Sequence, residues 1–217
     1  MTGLQRLHLP RLVGFGVACA FGAALAGTVT VTVKDAAGRP LQDAVVQLDS
    51  PAAAQAVRAG ADQAIVQRDR TFVPSVTVLT KGTAVTFPNE DSVRHHVYSF
   101  SPAKRFELKL YTGTPTSPVV FDKPGMAVLG CNIHDQMIAW VHVVETPYHG
   151  KTNAQGQVEM PRVPAGRYQL GVWHARLPES QAPFRQAVSV PEAAAQFLRS
   201  EQERYARLVK KAGITLD

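Results

Sequence analysis

The chain has 217 residues, of which 45% are hydrophobic, and its formal net charge is +6. This length is enough for one or two domains with real cores. The basic residues are spread along the chain and form no block interleaved with stacking aromatic side chains, so the composition argues against nucleic-acid binding. A slightly basic surface instead favours an acidic partner.

The N-terminal segment has the pattern of a secretory signal peptide. Arg6 and Arg11 form a positively charged region before an apolar run at 12–25. The sequence Ala24-Leu25-Ala26 at the end of this run matches the A-x-A pattern of a cleavage site. The run is shorter than the ~20 apolar residues of a membrane span, although an uncleaved membrane anchor is the alternative interpretation. We therefore expect residues 1–26 to be removed, the mature chain to be periplasmic, and no membrane span to remain.

Export leaves the mature chain with a single thiol. Cys19 lies in the signal segment, so Cys131 remains without a disulfide partner. A lone thiol in an oxidising compartment needs protection. Deep burial in a core is one explanation, and ligation of a metal ion is the other.

Short segments of alternating hydrophobicity follow in chain order and predict an all-β protein. Turn-forming sequences such as DAAGR, KG, PNED and DKPG separate them about every ten residues, which is typical of a β-sandwich or barrel. The predicted strands are 27–33, 44–48, 83–87, 93–100, 119–121, 126–129, 139–144, 157–160 and 166–173. Residues 51–63, rich in Ala and Gln, predict a short helix or a loop.

The C-terminal segment has a helical period. From Pro191 onwards, Phe197, Leu198 and Tyr205 fall on one side at 3.6-residue spacing, and Gly213 supplies an end signal. We expect a helix over 191–217. It either packs on the sandwich, which is the favoured interpretation, or binds a partner.

Three potential metal-binding side chains are spaced three residues apart in the sequence CNIHDQM. They are the thiol of Cys131, the imidazole of His134 and the thioether of Met137. Three residues of one short loop rarely enclose a metal ion, so a fourth donor has to come from elsewhere. The upstream sequence NEDSVRHHV offers it, at the start of a predicted strand.

Together these two motifs resemble the cupredoxins, the small blue copper proteins that include plastocyanin and amicyanin. Asn89, His95 and Val97 match an N-x5-H-x-V pattern, and Gly125 matches the strand that enters the ligand loop. The spacing Cys-x2-His-x2-Met is similar to that of the amicyanin ligand loop. The resemblance covers roughly residues 64–145 and implies a Greek-key β-sandwich that holds one type 1 copper ion.

The resemblance implies a ligand set of His95, Cys131, His134 and Met137. Two imidazoles and a thiolate in a plane, with a long axial thioether, suit both Cu(I) and Cu(II). His96 is the alternative to His95, because neighbouring residues of a strand point to opposite faces. His96 also stands where plastocyanin and amicyanin have an Asn that links the two ligand loops, so His96 or Asn89 would tune the site from outside the ligand set.

Met137 has a second interpretation as an ordinary core side chain. If it is not axial, a site of two histidines and one cysteine remains.

The rest of the chain is predicted to form additional β structure. Residues 27–145 are assigned to the copper-binding unit, with residues 27–62 as its N-terminal β extension. Residues 146–190, and PAGRYQLGVWH in particular, resemble a carboxypeptidase-regulatory-like β-sandwich, which implies a structural or docking module. Longer exported chains of this kind are similar to the group labelled methylamine utilization proteins.

The function that these features predict is one-electron transfer by an exported blue copper protein. The resemblance implies an electron exit at the edge of His134, with Ile133 at the docking surface, and a partner such as a c-type cytochrome or a periplasmic oxidoreductase. No acid–base pair, nucleophile motif or second copper centre is visible in the sequence, so no enzyme activity is predicted. Copper delivery without redox cycling and a metal-free interaction module are the alternatives.

Overall fold

The computed structural model describes residues 26–177, 182–191 and 196–199. Within these ranges the chain forms one short helix and otherwise strands, which confirms the predicted all-β class. The predicted signal segment before residue 26 lies outside the described residues. No helix in the described part of the chain is both long and apolar enough to cross a bilayer.

The metal-binding unit predicted from the sequence is built from consecutive strands in the middle of the chain, which we call the central unit. Its strands are β3 (Gln63–Ala64), β4 (Val66–Arg68), β5 (Thr71–Val73), β6 (Val76–Thr80), β7 (Thr83–Thr86), β8 (His95–Ser99), β9 (Phe106–Tyr111), β10 (Val119–Phe121), β11 (Gly125–Gly130) and β12 (Ile138–Val144). One sheet has the order β6-β12-β11-β8-β9 and another has the order β10-β7-β3, while β4 and β5 form a separate hairpin.

A second group of strands, which we call the flanking unit, comes from both ends of the described chain. Its sheets have the orders β14-β1-β17 and β13-β2-β15-β16. Its strands are β1 (Ala26–Thr32), β2 (Val45–Asp49), β13 (His149–Lys151), β14 (Gln157–Pro164), β15 (Gly166–Trp173), β16 (Phe184–Val190) and β17 (Gln196–Arg199). Helix α1 (Pro51–Ala56) follows β2 and begins at Ser50, whose hydroxyl accepts a hydrogen bond from the Ala53 N–H.

Each unit has its own core because alternate residues of its strands point inward. The core of the central unit includes Phe87, Val97, Phe121 and Leu129, together with Cys131 and Met137. The core of the flanking unit joins Val29 and Val31 of β1 and Leu48 of β2 to residues of β14 and β15 such as Met160 and Leu170.

The pairing corrects the assignment of residues 27–62 to the copper-binding unit. Strand β1 is hydrogen-bonded to β14, and β2 is hydrogen-bonded to β13 and β15. The two N-terminal strands therefore complete the flanking unit, and the central unit is inserted between β2 and β13. The alternation within β1 and β2 predicts strands correctly, but alternation carries no information on which distant strand will pair with them.

The prediction of a C-terminal helix is wrong for residues 196–199. These residues form β17, which runs parallel to β1 with Val29 opposite Gln196. The unpaired backbone groups along an edge of β1 provide partners for an added strand, and this tertiary pairing overrides the local helical period. The other residues of 192–217 lie outside the described part of the chain.

A small apolar cluster joins the two units. Val45 and Trp173 of the flanking unit pack with Val76 of the central unit, and the Trp140 and Trp173 ring centroids are 6.2 Å apart. The Lys151 ammonium donates a hydrogen bond to the Val76 carbonyl at 2.7 Å across the same boundary. The side chain of His142 lies beside this cluster, 6.0 Å from the Trp173 ring between centroids.

His142 makes the stability of this boundary sensitive to acid. Burial lowers the pKa of His142 from 6.5 to about 4, and its Nδ1 has no hydrogen-bond partner within the described residues. The unfolded chain therefore binds a proton in a pH range where the folded chain does not, so the free energy of unfolding falls as the pH drops from 6.5 towards 4. One pKa unit corresponds to about 1.4 kcal/mol, so a shift of this size corresponds to a loss on the order of 3 kcal/mol by pH 4.

We expect His142→Phe to remove this part of the acid sensitivity while keeping a ring against Trp173. Urea unfolding from neutral pH down to about pH 4 measures the difference between variant and wild type. Equal acid sensitivity of the two proteins would contradict the assignment to His142.

Candidate metal centre

The seven-residue loop at 131–137 is held by the two strands that it connects. Strand β11 ends at Gly130 and β12 begins at Ile138, and these two residues are paired in an antiparallel ladder. Inside the loop the Met137 N–H donates to the His134 carbonyl at 2.9 Å. This turn directs the side chains of Cys131 and Met137 into the core of the central unit, where both are buried.

Strand β8 brings the upstream histidine to the same place. Gly130 of β11 is paired with Tyr98 of β8, so the first residue of β8, His95, lies beside the beginning of the loop. The Cys131 Sγ atom is 3.9 Å from His95 Nδ1 and 3.9 Å from His134 Nδ1. One donor atom from each of these three residues lies within 4.8 Å of the others.

These distances fit a common metal ion. With metal–nitrogen and metal–sulfur bonds of about 2.0 and 2.3 Å, two donors at trigonal angles are roughly 3.7 Å apart. Soft thiolate combined with two imidazoles is a donor set that suits copper. The three residues that the sequence singled out therefore converge with a spacing that an ion can bridge.

Three of the four candidate side chains are buried, and the fourth is partly exposed. His95 is fully buried, Cys131 is 3% exposed and Met137 is 1% exposed. His134 is half-buried and forms the part of the site closest to solvent, and its neighbour Ile133 is 49% exposed. The apolar side chain of Ile133 is thus exposed to solvent beside His134, the more exposed of the two imidazoles.

His95 and His96 have different surroundings. His96 packs against the Tyr98 ring, with centroids 5.5 Å apart. Its Nε2 lies 3.0 Å from Glu107 Oε1, within ion-pair distance but outside hydrogen-bond geometry. Strand alternation therefore directs His95 to Cys131 and His96 away from it, and the contacts of His96 do not link the two loops.

Asn89 shapes the segment before β8 through its side-chain amide. Its Nδ2 donates to the carbonyls of Val93 and Tyr111 at 2.9 and 2.8 Å, and its Oδ1 accepts from the Asp91 N–H at 3.0 Å. These bonds hold the turn that leads to His95 against β9. Asn89 thus stabilises the segment that carries His95 and forms these hydrogen bonds with the backbone.

Two residues near the site were missed by the sequence analysis. Asp91 accepts a hydrogen bond from His95 Nε2 at 2.7 Å. Its position four residues before His95 could have suggested this contact, but only with knowledge of how the chain turns between the two residues. Tyr111 lies opposite His95 on β9 and donates to the Phe87 carbonyl at 2.7 Å. Burial raises the pKa of Tyr111 to about 12, with the nearby Cys131 contributing, so the phenol stays neutral.

The solved structures that are similar to this chain include cupredoxins. A purple cupredoxin from Nitrosopumilus maritimus is 25% identical and matches 38% of this chain and 100% of its own, with a TM-score of 0.33. A reduced amicyanin variant is 22% identical and matches 47% of this chain and 99% of its own, with a TM-score of 0.34.

A copper-containing nitrite reductase from Thermus scotoductus SA-01 is 26% identical and matches 48% of this chain but 27% of its own, with a TM-score of 0.36. No family model and no curated protein matches the sequence. Because the TM-scores are below 0.5, the functional assignment rests on the donors of the site.

The Tyr98 ring packs directly over the backbone of Gly130, the residue before Cys131. A Cβ atom at Gly130 would lie 2.8 Å from the Tyr98 ring, closer than side-chain carbons approach. We expect Gly130→Ala to reduce the free energy of unfolding by about 1–3 kcal/mol, as for other overpacked sites. In a Tyr98→Ala background the same substitution should cost far less, because the clashing ring is absent.

A double-mutant cycle measured by urea unfolding tests this coupling. The same penalty in both backgrounds would show that the backbone, rather than the ring, requires glycine at residue 130.

Proposed function

We propose that this protein is an exported one-electron carrier with a single type 1 copper ion. The observation that carries the proposal is the convergence of His95, Cys131 and His134, with one donor atom from each residue within 4.8 Å of the others and Cys131 Sγ 3.9 Å from the Nδ1 atom of each imidazole. Copper bound there would accept one electron from a reduced partner and pass it to an oxidised one as it alternates between Cu(II) and Cu(I). The proposal includes Met137 as the axial ligand.

The scaffold supports electron transfer because it restricts movement of the donors. His95 begins β8, which is paired on both sides, with β11 and β9, and the ligand loop is closed by the paired strands β11 and β12. Donors held in this way keep nearly the same positions in both oxidation states. His134, with Ile133 exposed beside it, is the proposed route for electrons to a c-type cytochrome or a periplasmic oxidoreductase.

Burial favours electron transfer over copper delivery. A protein that hands over its metal has to let the recipient's ligands replace its own, and three of the four proposed ligands here are at most 3% exposed. An electron needs no such opening, since it can leave through the imidazole of His134. The proposed carrier function therefore needs no movement of His95, Cys131 or Met137.

Cys131 and His95 are expected to be required for the blue copper spectrum, whereas His96 is not. The purified mature protein loaded with Cu(II) should show an intense visible thiolate-to-copper charge-transfer band, which Cys131→Ser abolishes and His95→Gln abolishes or strongly reduces. His96→Gln is the matched control and should keep the band, since His96 faces Tyr98 and Glu107.

Stoichiometric copper binding without such a band would favour a copper-delivery protein. No copper binding by a folded protein would favour a metal-free interaction module, with Cys131 as a core residue.

Replacement of Met137 by Leu tests the axial role. Leu keeps the volume of the buried side chain but removes the thioether, so Cu(II) loses a weak donor and the reduction potential should rise. Voltammetry of Met137→Leu measures the change, and Met126→Leu, a half-buried methionine at the boundary between the units, is the control. If the reduction potential of Met137→Leu changes no more than that of Met126→Leu, Met137 is a core residue and not an axial ligand.

A further inference from the structure

The far nitrogen of His95 is bound by a carboxylate. The ring presents Nδ1 to Cys131 Sγ, and on its other side Nε2 lies 2.7 Å from Asp91 Oδ2. An ionised carboxylate can only accept hydrogen bonds, so the proton of the neutral imidazole must be on Nε2. This leaves the Nδ1 lone pair directed at the site where the sulfur and the second imidazole meet.

The Asp91 carboxylate is itself held by a tight hairpin turn. The two central residues of the turn between β4 and β5, Asp69 and Arg70, both have positive φ angles, 52° and 56°. This conformation points their two N–H groups at the carboxylate, and they donate to Asp91 Oδ1 at 2.7 Å and to Asp91 Oδ2 at 2.9 Å. Both oxygens are occupied, and the orientation of the carboxylate is set before any metal arrives.

The hairpin is also fastened to the segment that carries Asp91. The Gln67 N–H donates to the Pro88 carbonyl at 2.7 Å, and the Glu90 N–H donates to the Gln67 carbonyl at 2.9 Å. On the outside, the Arg68 guanidinium pairs with the Glu90 carboxylate. The contacts thus run continuously from the β4–β5 hairpin through Asp91 to the imidazole of His95.

We propose that Asp91 is a positioning residue of the metal centre, which selects the His95 tautomer with Nδ1 free and lowers the reduction potential of the bound copper. This inference rests on the proposed copper function. The carboxylate charge lies behind the ring of a fully buried ligand, and a hydrogen bond of this kind increases the basicity of the ligating nitrogen. The increase stabilises Cu(II) more than Cu(I), because the ion of higher charge gains more from an electron-rich ligand.

The first test uses the metal-free protein and measures the tautomer directly. Nitrogen-15 NMR of apo wild-type protein, at a pH where the imidazole is neutral, should show His95 protonated at Nε2 with a slowly exchanging proton. In Asp91→Ala this proton should exchange fast, and the Nδ1–H tautomer should become populated. Wild-type protein with the proton on Nδ1 would overturn the proposal, whether or not any variant folds.

The second test compares copper affinity and potential in Asp91→Asn and two controls. Loss of a partner of this kind typically weakens metal binding by about 10–100-fold. In Asp91→Asn we expect the affinity for Cu(II) to fall by this factor and the affinity for Cu(I) to fall less. The reduction potential should therefore become more positive. Glu90→Gln removes the same charge one residue away, from an exposed side chain that is paired with the exposed Arg68, and should leave the potential nearly unchanged.

The second control tests the turn and keeps the carboxylate. The double substitution Asp69→Asn with Arg70→Gly preserves both N–H donors in the sequence that two-residue hairpin turns of this type prefer. It should keep the wild-type potential.

The results separate this inference from the proposed function. Wild-type protein without a blue copper band would refute the proposed function, and with it this inference. A blue wild-type protein whose potential is unchanged in Asp91→Asn, or shifts equally in Glu90→Gln, would refute the role of Asp91 alone.

Discussion

The candidate metal centre depends on the pairing of two strands that are distant in sequence. Strands β8 and β11 are neighbours in one sheet, with Tyr98 opposite Gly130. This pairing places His95 beside Cys131, 36 residues further along the chain, with 3.9 Å between Nδ1 and Sγ. The loop at 131–137 is closed by the pairing of β11 with β12, and it brings His134 to the same point, with 3.9 Å between its Nδ1 and Cys131 Sγ.

Hydrogen bonds around the donors explain why the ligand geometry can be in place before metal binding. Burial by itself would raise the pKa of Asp91, but hydrogen bonds from the Arg70 N–H, the His95 ring and the Asp69 N–H hold it below its usual range. The carboxylate stays ionised and the imidazole stays in one tautomer. Asn89 and Tyr111 support the same segment through bonds to backbone carbonyls.

The flanking unit has a core of its own, distinct from the core that contains Cys131 and Met137. Its strands come from both sides of the central unit in sequence, so the central unit is anchored at two connections, after β2 and before β13. The boundary is a small apolar cluster around Trp140 and Trp173, with the half-buried His142, whose pKa is lowered by desolvation, beside it. An acid-sensitive contact therefore lies at the junction of the units, away from the proposed ligands.

The sequence by itself determined the β class and most strand positions, and it singled out His95, Cys131 and His134, which the structure brings together, because alternation and motif spacing are local properties of the chain. It could not determine that β1 and β2 belong with β14 and β15, or that residues 196–199 pair with β1. It also gave no indication of Asp91, whose role depends on a turn 21 to 22 residues earlier in the chain. Only the tertiary structure decided these points, because pairing partners and hydrogen bonds between distant segments depend on how the whole chain packs rather than on any local pattern.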